Sequence, residues 1–347
     1  MRMTVLASGS KGNSTVISSS RTKILVDAGL SCRELLRRMA IAGEDPATLD
    51  AILITHEHID HVAGLAVLAR RLNIPVFFTE STHRAWVRML TPRTTMSYAK
   101  WLDHLQQEKE SRAIAIISEG SAGVLNLAAG ESRFNDANAT LKLPVDPDSA
   151  DSDTADPDIE ESCDADAQQS LPPKEKANPA HLPAVEYFQA GTRFCIGDLD
   201  ITPFTIPHDA ADPCGFVFEA EGIRMALATD LGYMPPNVKS ALKCIDVLLL
   251  ESNHDLEMLR DGPYPWSVKQ RVLSRVGHLS NEATAEFLQK DYDGGAAYIV
   301  LGHLSESNNV PALARISAEQ AIGDRMTLLG NRIVLAHQGT PLDSICL

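Results

Sequence analysis

The strand-like run from Ala51 to Thr55 ends in His56-Glu57-His58-Ile59-Asp60-His61, and this hexapeptide limits what the chain can be more than any other feature. It sets three imidazoles and the Asp60 carboxylate within six positions, with no lysine or arginine among them. In extended backbone, residues two apart point the same way, so His56 and His58 can grip one cation at the carboxyl end of a sheet. Asp60 and His61 are then left to serve a second. A polar loop that only solvates a strand end has no need of so many ligands. Imidazole with carboxylate suits zinc, manganese or iron better than calcium or magnesium, and no cysteine lies close enough to build a thiolate site. The expectation is a catalytic metal centre.

Around this motif the apolar runs Thr4 to Ala7, Thr15 to Ser18, Ile24 to Val26, Ile52 to Thr55 and Val76 to Thr79 read as short strands. Helical patterns fall near Glu34 to Ala40 and Val62 to Leu72. From about Val185 the alternation resumes with a hairpin over Phe194 to Thr205, then strands Phe216 to Glu219 and Met225 to Thr229 joined through Glu221-Gly222. A strand from Asp246 to Leu250, helices near Val268 to Val276 and Asn281 to Leu288, and strands Tyr298 to Leu301 and Ile333 to Ala336 follow. Two α/β halves of a single domain, 1–347, are expected. Residues 100–183 read as an insertion between them, with a helix over Trp101 to Glu110 and a strand over Ala113 to Ile117. Its centre, 144–183, is rich in Asp, Ser, Ala and Pro and lacks aromatics, too little apolar surface to offset ordering entropy; it is predicted to be disordered.

An apolar fraction of 44% and a charged fraction of 22% describe a soluble globular chain with no membrane partner. The formal charge of -15 would weigh against a polyanionic substrate if it were evenly spread. It is not: Asp146 to Lys176 carries eleven acids and two lysines, leaving 35 acids and 29 bases elsewhere. No leader pattern opens the chain, and six cysteines without a Cys-x-x-Cys pair argue against a disulfide framework. A reducing cytoplasm is the expected location.

A site for two metals needs further ligands at other strand ends. His208 follows the strand Ile201 to Ile206, Asp230 ends Met225 to Thr229, and His303 ends Tyr298 to Gly302. Asp27, closing Ile24 to Val26, is placed to orient a ligand from behind.

The order and context of Asp27, the His56 to His61 motif, His208, Asp230 and His303 resemble the metallo-β-lactamase superfamily, over nearly the whole chain apart from the insertion. Leu6-Ala7-Ser8-Gly9-Ser10 with Gly12-Asn13-Ser14, Pro207-His208-Asp209-Ala210-Ala211-Asp212, Ala228-Thr229-Asp230-Leu231-Gly232, Glu251-Ser252-Asn253-His254-Asp255, Gly262-Pro263-Tyr264-Pro265-Trp266 and Gly277-His278-Leu279-Ser280-Asn281 are similar to its YycJ/WalJ branch. The resemblance implies an α/β fold, a four-layer αββα sandwich, and two divalent metal ions, zinc first with manganese or iron as alternatives. It puts His56, His58 and His208 on one metal, Asp60, His61 and His303 on the other, and Asp230 between. It implies a phosphodiesterase acting 5'-to-3' on double-stranded DNA, with a metal-bridging hydroxide as nucleophile.

His278 is the candidate proton donor to the leaving oxygen, at the start of a helical pattern that resembles the corresponding segment of tRNase Z, and Glu251 looks like its carboxylate partner. Asn13, His254 and Ser280 are candidate substrate contacts; Ser280 can equally cap the helix, and His254 can equally bond within its loop. Lys269, Arg271 and Arg275 lie near the catalytic end, while Arg33, Arg37, Arg38, Arg70, Arg71, Arg84, Arg88 and Arg93 read chiefly as solvated helix faces. Trp266 reads as buried in its Pro-rich turn, with stacking on a terminal base as the alternative. Rival readings are a related hydrolase acting on RNA, a small cyclic phosphodiester, a thioester or a lactam, and a non-catalytic nucleic-acid or protein scaffold. A flavodiiron-like oxidoreductase expects glutamate where His58 stands.

Overall fold

Strand residues here alternate between two apolar layers, and that alternation builds the molecule. The computed structural model describes residues 1–91, 178–323 and 330–347. Its first sheet begins with three antiparallel strands, β1 (Arg2–Ala7), β2 (Ser14–Ser18) and β3 (Lys23–Val26). It continues in parallel through β4 (Ala51–Leu53), β5 (Val76–Phe78) and β6 (Val185–Tyr187). The second sheet runs antiparallel through β7 (Phe194–Ile196), β8 (Leu199–Thr205), β9 (Cys214–Ala220) and β10 (Ile223–Ala228). It becomes parallel through β11 (Val247–Glu251), β12 (Tyr298–Gly302) and β13 (Arg332–Leu335). A short β14 (Ile345–Cys346) lies beside β1 and completes seven strands in each sheet.

Val247 and Leu249 of β11 and Met225 and Leu227 of β10 face a core shared with Ile24 and Val26 of β3. Their neighbours Leu248, Leu250, Ala226 and Ala228 face the opposite way, against helices α5 (Pro236–Ala241), α8 (Asn281–Lys290) and α9 (Pro311–Ile322). On the first sheet Leu25, Ile52 and Val76 turn outward to α1 (Cys32–Ile41), α3 (Leu65–Leu72) and α4 (Glu80–Leu90). Strands covered on both faces are continuously apolar, as parallel sheets require. The result is the four-layer αββα sandwich.

Two helix expectations need correction. The pattern read as one helix from Val62 to Leu72 is two, α2 (Ile59–Val62) and α3, parted at Gly64. A Cβ there would lie 2.1 Å from the Leu30 carbonyl oxygen, and the Gly64 N–H donates to Ala28 O at 2.9 Å. The helix read from Val268 to Val276 is α7 (Trp266–Val272); it stops because His278 N–H turns back to Val272 O at 3.0 Å. Helices α4, α5, α6 (Leu256–Asp261) and α9 and strand β14 were not anticipated. In α9 the buried stripe includes Ala314 and Ala318, which hydropathy barely marks.

The helix and strand expected at Trp101 to Glu110 and Ala113 to Ile117, and residues 144–177 of the expected disordered stretch, lie outside the described residues. Residues 178–183 pack on the body: Leu182 is buried, and Arg70 Nη1 donates to the Pro179 and His181 carbonyls at 3.3 and 3.0 Å. Among the described residues no helix is long and apolar enough to cross a membrane.

Candidate metal centre

Six strands deliver side chains to one place at or just past their carboxyl ends: Asp27 after β3, His56 after β4, His208 after β8, Asp230 after β10, Glu251 ending β11 and His303 after β12. Asp27, Asp230 and His303 leave their strands in left-handed backbone, at φ of 61°, 62° and 54°. Such backbone costs a non-glycine residue about 1–3 kcal/mol and collects where a site dictates direction.

Six of the eleven histidines meet here. The ligand atoms of His56, His58 and His208 lie within 4.8 Å of one another, as do those of Asp60, His61 and His303. Asp230 makes equally close sets with His56 and His61 and with Glu251, His278 and His303. The ring centroids of His56 and His61 are 4.0 Å apart, and those of His58 and His208 are 4.9 Å apart.

Hydrogen bonds behind the rings fix which nitrogen faces inward. Asp27 Oδ2 holds His61 Nδ1 at 2.8 Å and is itself held by the Thr55 hydroxyl at 2.9 Å, while the Thr55 N–H donates to Oδ1 at 2.9 Å. Thr55 Oγ1 also meets His56 Nδ1 at 3.0 Å. His208 Nδ1 faces the Gly277 carbonyl at 3.2 Å, and His303 Nδ1 faces Glu251 Oε1 at 2.7 Å. That leaves Nε2 of His56 and His303 without a partner, while His208 Nε2 lies 3.2 Å from His58 Nδ1 and His61 Nε2 lies 3.0 Å from the Asn13 amide nitrogen. Ser8 Oγ accepts the His303 N–H at 2.7 Å, and the Asn253 amide donates to the His303 carbonyl at 2.9 Å. Gly29 lets the loops close up, since a Cβ on it would fall 1.6 Å from the Asp60 carbonyl oxygen.

The donor set fits divalent cations. His56 Nε2, His303 Nε2 and Asp230 Oδ2 are buried and without a hydrogen-bond partner. An unpaired buried polar atom costs about 1–3 kcal/mol, so the three, spread over the neighbouring close sets, call for partners there. Burial and the surrounding imidazoles hold His56 well below the usual histidine range, and burial brings His208 down to about 4, keeping both neutral with a lone pair free. Burial would also lower His61 and His303, but the Asp60, Asp230 and Asp27 carboxylates around His61, and Asp230, Asp60 and Glu251 around His303, push both well up. Such carboxylate partners strengthen an imidazole as a donor.

His278 stands beside the ligands. Its Nδ1 is 2.8 Å from Glu251 Oε1, the same oxygen that holds His303. Glu251 Oε2 accepts the Leu231 and Leu279 N–H groups at 2.6 and 3.2 Å. Burial alone would raise this carboxyl; His278 and His303 hold it well below the usual range.

The three candidate substrate contacts are placed differently. The Asn13 amide nitrogen is 3.2 Å from Asp60 Oδ2 and 3.0 Å from His61 Nε2, against the ligands. Ser280 caps α8, accepting the Ala283 N–H at 3.1 Å. His254 is 1% exposed, with Nε2 unpartnered. Trp266, read as buried, is 67% exposed, and Arg38, read as solvated, is buried with Nη1 on the Leu6 and Gln338 carbonyls. Thr55, Ser8 and Asn253 went unnoticed as supports. Thr55 was within reach, standing between an apolar strand and the first ligand.

Replacing Asp27 with alanine frees the His61 ring and is expected to weaken metal binding roughly 10–100-fold. Competition against a chromogenic chelator reads this, with the far-ultraviolet circular dichroism unchanged.

The comparisons with known proteins agree with this geometry. The profile of the metallo-beta-lactamase superfamily matches residues 7–303. Exodeoxyribonuclease WalJ of Streptococcus pneumoniae is 30% identical over 316 residues, covering 91% of this chain and 86% of its own length. Exodeoxyribonuclease YycJ of Bacillus anthracis is 30% identical over 325 residues, covering 94% and 90%. Among solved structures, the metallo-beta-lactamase fold protein YhfI of Bacillus subtilis aligns with a TM-score of 0.55 at 13% identity over 99% of each chain, a likeness of fold. By profile, relatives and clustered ligands alike, the chain belongs to the metallo-beta-lactamase superfamily and is a metal-dependent hydrolase.

Proposed function

We propose that this hydrolase is a phosphodiesterase that degrades double-stranded DNA from a 5' end in the cytoplasm. In this reading His56, His58 and His208 hold one cation and Asp60, His61 and His303 a second, with Asp230 shared. The observation that carries it is the pair of three-residue ligand sets with Asp230 within reach of both, in a chain that matches two exodeoxyribonucleases over more than nine-tenths of its length.

Two divalent cations, zinc first with manganese or iron as alternatives, supply an acidified water and positive charge for a phosphate oxygen. The chain's own residues do the rest. Asp27, Thr55 and Glu251 fix the tautomers and directions of the imidazoles. Asn13 holds the Asp60 carboxylate. Glu251 keeps His278 Nδ1 occupied, so that Nε2 is the atom left to give a proton to the leaving deoxyribose oxygen.

The test is elemental analysis combined with a strand-polarity assay on duplex DNA labelled at either end. Two metals per chain and stepwise loss from the 5' end are expected, abolished by a chelator and restored by metal. Metal-replete protein that leaves DNA intact while hydrolysing RNA, a cyclic phosphodiester or a thioester would overturn the reading.

A further inference from the structure

Trp266 opens α7, a helix of seven residues that buries none of them. An indole carries one of the largest apolar surfaces a side chain can bury, and two-thirds of this one is left exposed on an element bonded to the loop that carries His278. The helix is firmly tied despite its exposure. Lys269 Nζ donates to the Arg260 and Gly262 carbonyls at 2.7 and 2.8 Å, and Arg271 Nε pairs with Asp209 Oδ2 at 2.6 Å, one residue beyond His208. Past its end, Val276 O accepts the Asp209 N–H at 3.1 Å, Gly277 O faces His208 Nδ1 at 3.2 Å, and His278 N–H returns to Val272 O. Trp266 therefore rides on a platform continuous with the proton donor and a metal ligand.

Six helical steps from Trp266 to Val272 span about 9 Å at 1.5 Å per residue. That is more than one nucleotide step of about 3.4 Å, so the indole and the end of α7 that holds the His278 N–H face different nucleotides. Cations share the same segment: Lys269, Arg271, and Arg275, whose guanidinium lies 4.2 Å over the Tyr233 ring. Aromatic faces interleaved with positive charge match stacked bases on a phosphate backbone, with the exposed Leu273 and Val276 lying among the same cations.

Resting on the nuclease reading, we propose that Trp266 is a stacking platform for a base beyond the phosphodiester held at the metal centre. Stacking of this kind is tolerant of sequence, since every base offers a face.

The experiment compares the metal-loaded wild type, Trp266→Phe and Trp266→Ala on 5'-phosphorylated duplex DNA and on bis(p-nitrophenyl) phosphate, a diester that carries no nucleobase. For Trp266→Ala the KM for duplex is expected to rise roughly 10–100-fold. Trp266→Phe should keep most of the affinity, and turnover of the small diester should be unchanged in both. A 2-aminopurine placed in the first three nucleotides should be quenched by the wild type and not by Trp266→Ala. An unchanged KM and quenching in Trp266→Ala, or an equal loss on both substrates, overturns the assignment. So does a shift of oligomeric state with duplex KM unchanged, which would mark the face as a contact between copies. A wild type that turns over the small diester and spares DNA fails the nuclease reading itself, and the assignment falls with it.

Discussion

Asp230→Ala is expected to abolish hydrolysis, with kcat lowered at least about a thousand-fold and metal content reduced. The size follows from what the carboxylate does: a metal centre contributes several kcal/mol of transition-state stabilisation, and each 1.4 kcal/mol is a factor of ten. Asp230 Oδ1 lies 3.3 Å from His303 Nδ1 and 3.9 Å from His208 Nε2, and Oδ2 lies 3.4 Å from His61 Nε2. Both proposed cations would therefore share its charge, and removing it sets two dications against each other with less to hold them. Asp60→Ala, by contrast, strips one side, since Asp60 Oδ2 approaches His61 Nε2 and His303 Nε2 at 3.5 and 3.8 Å. The left-handed backbone of Asp230 adds strain to an alanine, so Asp230→Asn is the cleaner companion: asparagine tolerates that conformation and removes only the charge. Elemental analysis with single-turnover kinetics reads both. An Asp230→Asn protein with two metals and full activity would remove Asp230 from the centre.

Much of this arrangement was legible before any coordinate. Strands buried on both faces must be apolar throughout, and turns must break them, so the runs ending at Val26, Thr55, Thr229 and Gly302 could be read directly, together with the candidate ligands that follow each. Direction was not legible. Asp27, Asp230 and His303 leave their strands in left-handed backbone, a choice made by contacts from other strands and invisible in local propensity. Nor was the double use of Glu251, which serves His278 and His303 through one oxygen because β11 lies beside β12 and the loop before α8 closes over its end, Leu279 N–H on Glu251 Oε2. Helix α4 was missed because only Thr82 and Trp86 of its eleven residues are buried, too sparse a stripe to show as a period. Trp266 was misread because a Pro-rich turn suggests a packed corner. Here Pro265 instead begins a helix that lies on the surface.

His278→Ala is expected to lower kcat on DNA about 100- to 10,000-fold while leaving the metals in place. His278 is grouped with Asp230, Glu251 and His303, yet Glu251 already occupies its Nδ1, so the imidazole stands at the edge of the centre, half-buried, with one nitrogen free to reach substrate. Burial alone would lower its affinity for a proton, but Glu251 beside it raises it, as a donor acting at neutral pH requires. A leaving group that needs no proton separates this role from a structural one. On bis(p-nitrophenyl) phosphate the His278→Ala loss should shrink to a few-fold, because nitrophenolate departs unaided. Asp230→Ala should stay inactive on both substrates. Glu251→Gln should fall between them: it loosens His278 and His303 together, so some metal should be lost with activity. Added to His278→Ala it should cost less on DNA than the two single losses combined, since both act partly through one imidazole. An equal loss on both substrates for His278→Ala, with metals retained, would mean that the imidazole shapes the site without passing a proton to the leaving oxygen.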